Sequence, residues 1–332
     1  MKINITYITG VGGAAADAMA QTARVAQEMG CHGFGIYNNP GYVENEGDRR
    51  IRVDGIIASM AWNDVTIFQF PTWCYHPFDM TLMEQLKLYG KHTIVFVHDI
   101  YALLIDELTP EERIQRLAGE IAVLNQADLL ILASEKLHHR LQESGLINTN
   151  VMYQTIWDYI TDYCPEKHEQ IHRMIFTGND DLSFYEGNTP IHQFCYDEPQ
   201  KTEHTNVEYK GYMESSDLLH EMAHGGFGLV YANDELFYRY DCMNQPYKLG
   251  VYLASGIPVI VRKGCVHEQF IRNHGLGFVV ESLDEADELV NSITDEEYNK
   301  LYDNIKPIQK LITSGFYTRR LLSDAIIEVM EK

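Results

Sequence analysis

Residues 2–37 read KINITYITGVGGAAADAMAQTARVAQEMGCHGFGIY. Lys2–Thr9 has the β-branched and aromatic content of a strand, Gly10-Val11-Gly12-Gly13 is a loop, and Ala14–Met29 is a run of small residues and helix formers. Gly33–Tyr37 predicts a second, short strand. Strand, glycine loop, helix and strand at this spacing form the repeating unit of a parallel sheet with crossover helices, so the chain is expected to be α/β.

The pattern continues in both directions of argument. Val65–Phe70 (VTIFQF) is a strand stopped by Pro71, and His92–Val97 and Ala127–Leu132 are further short apolar runs between helical segments. Tyr42–Arg50 is polar and without periodicity, and is expected to be an exposed loop. Val151–Ile156 begins a transition, followed by the aromatic and polar stretch Trp157–His168 with Pro165 near its end. Strands are then expected at Arg173–Phe176, Ile191–Cys195, Thr205–Tyr209, Gly228–Tyr231, Pro258–Val261 and Gly277–Val280. Asp295–Ile312 and Phe316–Glu331 read as helices punctuated by Gly315. At 332 residues the chain is long enough for two cores of about 150 residues each. The repetition is of whole half-chains, which suggests two similar domains facing each other across a cleft.

Composition narrows the function. Hydrophobic residues make up 45% and charged residues 22%, a globular balance. Asp+Glu outnumber Lys+Arg by 48 to 26, a formal charge of -22, which argues against nucleic acid as partner because phosphate backbones need a basic surface. A local basic pocket for one small phosphate ligand remains compatible. The six cysteines, at 31, 74, 164, 195, 242 and 265, form no CxxC, and the start MKINITYITG has no long apolar segment. Reduced cysteines in a cytoplasmic protein are expected, and no apolar run is long enough to span a bilayer. Shallow association of an amphipathic helix with a membrane face is left open.

In open parallel sheets ligands collect at the carboxyl ends of the strands, and four segments fall there. The loop Thr9–Ala15 (TGVGGAA) offers free backbone N–H groups at a helix start, but Gly10, Gly12 and Gly13 do not make a full GxGxxG, and Tyr37-Asn38-Asn39 stands where a ribose-binding acid would be. Pro71-Thr72-Trp73-Cys74-Tyr75-His76 could stack on a sugar face or pack one domain against its own helices. His98-Asp99 closes HTIVFVHD, and the Asp99 carboxylate could take a proton from a sugar hydroxyl or cap the following helix. The fourth is Tyr240–Val261, YDCMNQPYKLGVYLASGIPVIV. Asn244 and Lys248 lie four apart, so a helix would put them on one face, with Leu249, Tyr252 and Leu253 on an apolar side and Ser255-Gly256 as the stop. A lysine suits a diphosphate oxygen, and an asparagine can bridge a ribose or a phosphate. No His/Cys/Asp set has metal-ligand spacing. Adjacent acids at Asn179-Asp180-Asp181 read as solvent-facing, so no metal is expected.

The order of the last stretch resembles a bacterial nucleotide-sugar glycosyltransferase family. It is similar to the glucosyltransferase 3 enzymes that extend O-linked sugars on serine-rich repeat adhesins, and to galactofuranosyltransferase-like proteins. The resemblance is carried by Asn244, Pro246, Lys248, Tyr252, Leu253, Ala254, Ser255, Gly256, Pro258, Val259 and Ile260, in the pattern N-x-P-x-K-x-x-x-Y-L-A-[AS]-G-x-P-V-I. Supporting matches are the first glycine loop, Phe176-Thr177-Gly178-Asn179, and GYMESSDL at 211–218 leading to GGFGLVY at 225–231.

The resemblance implies a GT-B fold. Residues 1–157 would be an acceptor-side Rossmann-like domain, 158–314 a UDP-sugar-binding one, and 315–332 a helix crossing back to the first. It implies Asn244 and Lys248 on the UDP, Tyr212 near the nucleotide, Gly178 and Asn179 at the donor, and the Gly12-Gly13 loop over it. Lys248 would face the phosphates. The implied reaction moves a hexose, glucose favoured, from UDP to an N-acetylglucosamine-modified serine-rich adhesin. Asp99 and His98 are the candidate catalytic pair, with Asp99 as base in an inverting transfer. Self-association, with tetramers known in the family, and a place at the inner face of a membrane are further implications. Two departures stand out. Asp180-Asp181 occupies a loop where a basic residue would suit a diphosphate, for which Arg173 is one candidate substitute, and no E-x7-E follows Gly264. The rival readings are a non-catalytic GT-B-like partner subunit of a glycosylation complex and an NAD-dependent oxidoreductase.

Overall fold

The computed structural model describes residues 1–38, 44–90, 92–163, 171–196 and 205–331. Asn39, Tyr42 and Val43, and Cys164, Pro165 and the rest of the stretch up to His168, lie outside the described residues. The chain forms two compact units, Met1–Thr155 with Tyr317–Lys332, and Ile156–Phe316. Each is a parallel sheet flanked by helices, the Rossmann-like architecture of the GT-B class.

The N-terminal unit runs β1 (Ile3–Thr9), α1 (Ala14–Glu28), β2 (His32–Tyr37), α2 (Glu46–Ile56), β3 (Val65–Phe70), α3 (His76–Tyr89), β4 (His92–Val97), α4 (Tyr101–Leu104), α5 (Pro110–Leu124), β5 (Leu129–Leu132), α6 (Glu135–Glu143) and β6 (Val151–Tyr153). The strand order is β2-β1-β3-β4-β5-β6, all parallel. Every residue of β3 is buried, as expected of a central strand covered on both faces. The order reverses between β1 and β3, so the Gly10–Gly13 loop and the Pro71–Tyr75 loop meet at the switch point. There Trp73 packs with Val11 over Ile8, Ala16 and Met19.

Two expectations fail in this unit. The polar stretch 42–50 is not all loop. Asn45 accepts a hydrogen bond from Asp48 N–H and starts α2, whose periodicity is faint because Val53 is its buried residue. Glu44, just before it, is buried and ion-paired to Arg52 at 3.0 Å. The supposed transition at 151–156 contains a sixth strand, β6, paired with β5.

The C-terminal unit runs β7 (Met174–Thr177), β8 (Ile191–Phe194), β9 (Val207–Tyr209), α7 (Ser215–Met222), β10 (Phe227–Val230), α8 (Glu235–Asp241), α9 (Tyr247–Ala254), β11 (Val259–Arg262), α10 (Glu268–His274), β12 (Gly277–Val280), α11 (Leu283–Ser292) and α12 (Asp295–Thr313). Its order, β12-β11-β10-β7-β8-β9, is the 3-2-1-4-5-6 arrangement of a dinucleotide fold read from the other edge, with the switch point between β7 and β10. Phe176, Phe227, Leu229, Ile260, Val280 and Tyr298 belong to its core. The last helix, α13 (Phe316–Met330), packs with the N-terminal unit. It buries Leu322, Ala325 and Val329, and Arg319 reaches Glu28 on α1 at 2.9 Å.

Candidate functional site

The β7/β10 switch point of the C-terminal unit brings together Gly178, Asn179 and Lys248 of the residues singled out in the sequence. Gly178 follows β7 at φ +144°, and a Cβ there would meet Lys248 Nζ at 3.3 Å and Asp180 Oδ2 at 3.4 Å. Only glycine sits easily at that dihedral, and it lets the lysine come down onto the strand end. Gln193 of β8 holds the turn by donating to the carbonyls of Gly178 and Asp180, both at 2.9 Å. Tyr252 on α9 ties the two switch strands: its hydroxyl accepts from Thr177 N–H at 3.0 Å and donates to Leu229 O at 3.4 Å.

Lys248 lies in the first turn of α9, its ammonium 4.3 Å from the centre of the Phe176 ring. It has no carboxylate within 4.0 Å among the described residues, in a chain rich in acids. A cation at a helix N-terminus faces the positive end of the dipole, so its position is unfavourable for the fold and favourable for an incoming anion. Asp241, at the end of α8, is pushed up to about 6 by burial, with Lys248 pulling it down and Asp180 pushing it up.

Asn244 reaches this place differently from the sequence expectation. Helix α9 begins at Tyr247 with Pro246 as its N-cap, so Asn244 precedes the helix rather than sharing its face. Proline disfavours helical geometry in the residue before it, which breaks the chain at Gln245. Asn244 is buried in the α8–α9 turn, its N–H donating to Tyr240 O at 2.7 Å. Asn179 is exposed in the turn after Gly178. Of the two acids that follow, Asp181 accepts from Ser183 N–H at 2.9 Å, and Asp180 stays beside the Lys248 cation.

Arg173 does not compensate for the missing basic residue. It precedes β7, at the opposite end of the strand from Gly178, and its guanidinium is taken by Glu221 and by the carbonyls of Glu221 and Gly225. The cation that the sequence reading missed is Arg262, the last residue of β11, at the same edge as Gly178. It lies 3.8 Å over the Tyr238 ring, donates to Ala232 O, and has no carboxylate partner within 4.0 Å among the described residues. Tyr212 is also not alone: it stacks on Tyr196, beyond the end of β8, with ring centres 3.9 Å apart and 13° between planes. Both rings are exposed.

In the N-terminal unit, Gly13 at φ +89° is the N-cap of α1, and Gly12 beside it is exposed. His98 follows β4 but is buried. Gln69 spends its amide N–H groups on the carbonyls of Thr6 and Met19, so its Oε1 accepts from His98 Nε2 at 2.8 Å. Burial pushes the imidazole down to about 3, and at neutral pH it is an uncharged, Nε2-protonated ring fixed in the sheet interior. That setting suits orientation of the strand end, not proton uptake. Asp99 is half-buried at the mouth. It is not the helix cap: the N-cap of α4 is Ile100, and the N–H groups of Tyr101 and Ala102 go to Glu120 on α5. Glu120 was absent from the sequence reading, although the signal was present. It shares a face with Leu117, Ile121 and Leu124, all buried, and an acid on an apolar stripe needs a reason. Among the described residues no three His, Cys, Asp or Glu side chains are grouped to hold a metal ion, and no helix is long and apolar enough to cross a membrane.

Models of the glucosyltransferase 3-like N-terminal and C-terminal domains match residues 2–156 and 174–325. Glucosyltransferase 3 of Streptococcus gordonii is 32% identical over 345 aligned residues, covering 99% of this chain and 100% of that protein. Glucosyltransferase 3 of Streptococcus parasanguinis is 32% identical over 334, covering 98% of each. The crystal structure of Anabaena Alr3699/HepE in complex with UDP has the same fold, with a TM-score of 0.62 at 12% identity over 99% of this chain and 100% of that one.

Proposed function

The chain belongs to the glucosyltransferase 3-like family, and on that premise we propose that it is a UDP-sugar-dependent glycosyltransferase. The donor is a UDP-hexose, UDP-glucose first, and the acceptor is a hydroxyl of N-acetylglucosamine on a serine-rich repeat adhesin. The observation that carries the reading is the Lys248 ammonium in the first turn of α9, at the β7/β10 switch point, with no carboxylate within 4.0 Å among the described residues.

The chemical difficulty is the charge that grows on UDP as the bond from the sugar C1 to the phosphate oxygen breaks. Lys248 meets that charge, with Arg262 as a second cation at the same sheet edge, and such contacts accelerate transfer when they tighten in the transition state. The C-terminal unit holds the donor through Gly178, Asn179, Asn244 and Lys248, with the Tyr196–Tyr212 stack as an aromatic surface for the nucleotide. The N-terminal unit holds the acceptor, with Gly12 and Gly13 in the loop at its switch point. Asp99 takes the hydroxyl proton as the acceptor oxygen bonds to C1, which inverts the anomeric centre. His98 orients the strand end behind it. Self-association of the chain belongs to the same reading.

The test has two steps. UDP, and not NAD, should protect the protein against thermal unfolding, and a panel of UDP-sugars with a glycosylated serine-rich peptide should give a mass shift of one hexose, unaffected by a metal chelator. NMR of the first product reads the anomeric configuration. Binding of UDP without transfer from any donor would turn the assignment to a non-catalytic partner subunit.

A further inference from the structure

The segment leaving β4 is built to be held from outside. Helix α4 is one turn long, and its N-cap, Ile100, has no side-chain acceptor for the first N–H groups. Glu120 supplies it: Oε1 accepts from Tyr101 N–H at 3.0 Å and Oε2 from Ala102 N–H at 3.1 Å. Two more residues of the same helix face join it. Arg116 places Nε 3.6 Å from Glu120 Oε1 and its guanidinium 4.5 Å over the Tyr101 ring. Arg113 donates to Ala102 O at 2.6 Å and Asp106 O at 3.4 Å. One helix therefore fixes both ends of the turn that begins at Asp99. Glu120 is 1% exposed, too deep to touch a substrate.

We propose that Glu120 is a positioning residue whose ionised carboxylate clamps the Asp99–Ala102 turn and so aims Asp99 at the acceptor hydroxyl. The role rests on the reading of Asp99 as the base. Both N–H bonds require the carboxylate, because a protonated Glu120 turns one oxygen into a donor facing an N–H. Burial lifts this group to about 7, against the pull of the Ala102 N–H, Arg116 and the Tyr101 N–H; Asp79 on α3, itself lifted to about 6 by burial, pushes it further up. Within this surrounding of one arginine, one acid and two amides, the clamp is set above pH 7 and loosens below it. Donor binding, assigned to the other unit, does not depend on it.

The experiment uses the full chain. Wild type should lose kcat as pH falls through about 7 with little change in KM for the UDP-sugar. Glu120→Gln should lower kcat on the order of tenfold to a hundredfold, the scale of a small misplacement of a catalytic group, and remove that step from the profile. Amide exchange at Tyr101 and Ala102 should quicken in the same variant. Arg116→Gln leaves the carboxylate in place and should move the step to higher pH, and Glu120→Asp should restore a step with reduced kcat. A Glu120→Gln protein that keeps both kcat and the step overturns the proposal, as does an Arg116→Gln profile that does not move. If Asp99→Asn retains activity, the base assignment fails by itself. Faster exchange at Tyr101 and Ala102 would then still establish the clamp, and unchanged exchange would remove it too.

Discussion

Truncating Lys248 to alanine separates a fold role from a donor role, because the structure predicts opposite sizes for the two. On the stability side, the side chain contributes a cation–π contact with Phe176 at 4.3 Å, worth about 0.5–1 kcal/mol at a partly exposed site. It also places a positive charge in the first turn of α9, which costs about 0.3–1 kcal/mol against the helix dipole. The two nearly cancel, and alanine is a good helix former, so unfolding free energy should change by less than about 1 kcal/mol. On the binding side, a charge-assisted hydrogen bond to a phosphate is worth roughly 1.5–3 kcal/mol, or about 12-fold to 150-fold in UDP affinity. The loss should be largest for UDP, smaller for UMP and absent for uridine. Arginine should restore part of it, since its planar fork must fit where Nζ already lies 3.3 Å from the position of a Gly178 Cβ. Removing Lys248 also removes the charge that pulls Asp241 down, so that carboxyl should titrate above its present value of about 6. Calorimetric titration, with circular dichroism to check the fold, is the assay. A folded Lys248→Ala protein that binds UDP as the parent does would refute the reasoning.

Tyr252→Phe should cost about 1–3 kcal/mol in chemical denaturation, because it strands the Thr177 N–H that the hydroxyl now accepts at 3.0 Å. An unchanged midpoint would mean that this N–H finds another partner. Gly178→Ala should cost roughly 1–3 kcal/mol from backbone strain at φ +144° and weaken UDP binding by crowding Lys248, read by titration calorimetry on the folded variant. Asp79, Asp241 and Glu120 are all lifted by burial, to about 6, 6 and 7. Carboxyls raised in the folded state favour it most below the ordinary carboxyl range and lose that contribution as pH rises through 6–7. The buried rings of His98 and His267, both pushed down to about 3, act in the opposite sense over the same range, so the carboxyl part is read as a difference. The thermal midpoint of Glu120→Gln relative to the parent should rise between pH 5 and pH 8, and a constant difference across that window would contradict the assignment.

The alternation of strand and helix was legible along the chain because each pattern is local. Val65–Phe70 and His92–Val97 are β-branched and aromatic runs of strand length, and Asp295–Thr313 carries its own capping box of Thr294 and Glu297. The run from Asn244 to Ile260 pointed to one end of the C-terminal sheet by its order alone. Strand order was not legible. Buried parallel strands look alike in sequence, and only their packing placed β10 beside β7 and β3 beside β1, which creates the two switch points. The break between Asn244 and α9 was written in Pro246, but periodicity across four residues obscured it. Which charges are spent also needed the tertiary structure: Arg173 and Arg262 are both arginines at strand ends, one satisfied by Glu221 and the other without an acid within 4.0 Å among the described residues. Glu120 shows the same division. Its position on an apolar stripe was visible in the sequence, while its task, accepting two amides from a turn nineteen and eighteen residues earlier, exists only once α5 packs against the end of β4. Local propensity acts over a few residues, whereas hydrogen bonds and ion pairs are settled by whichever groups the fold brings within about 3 Å.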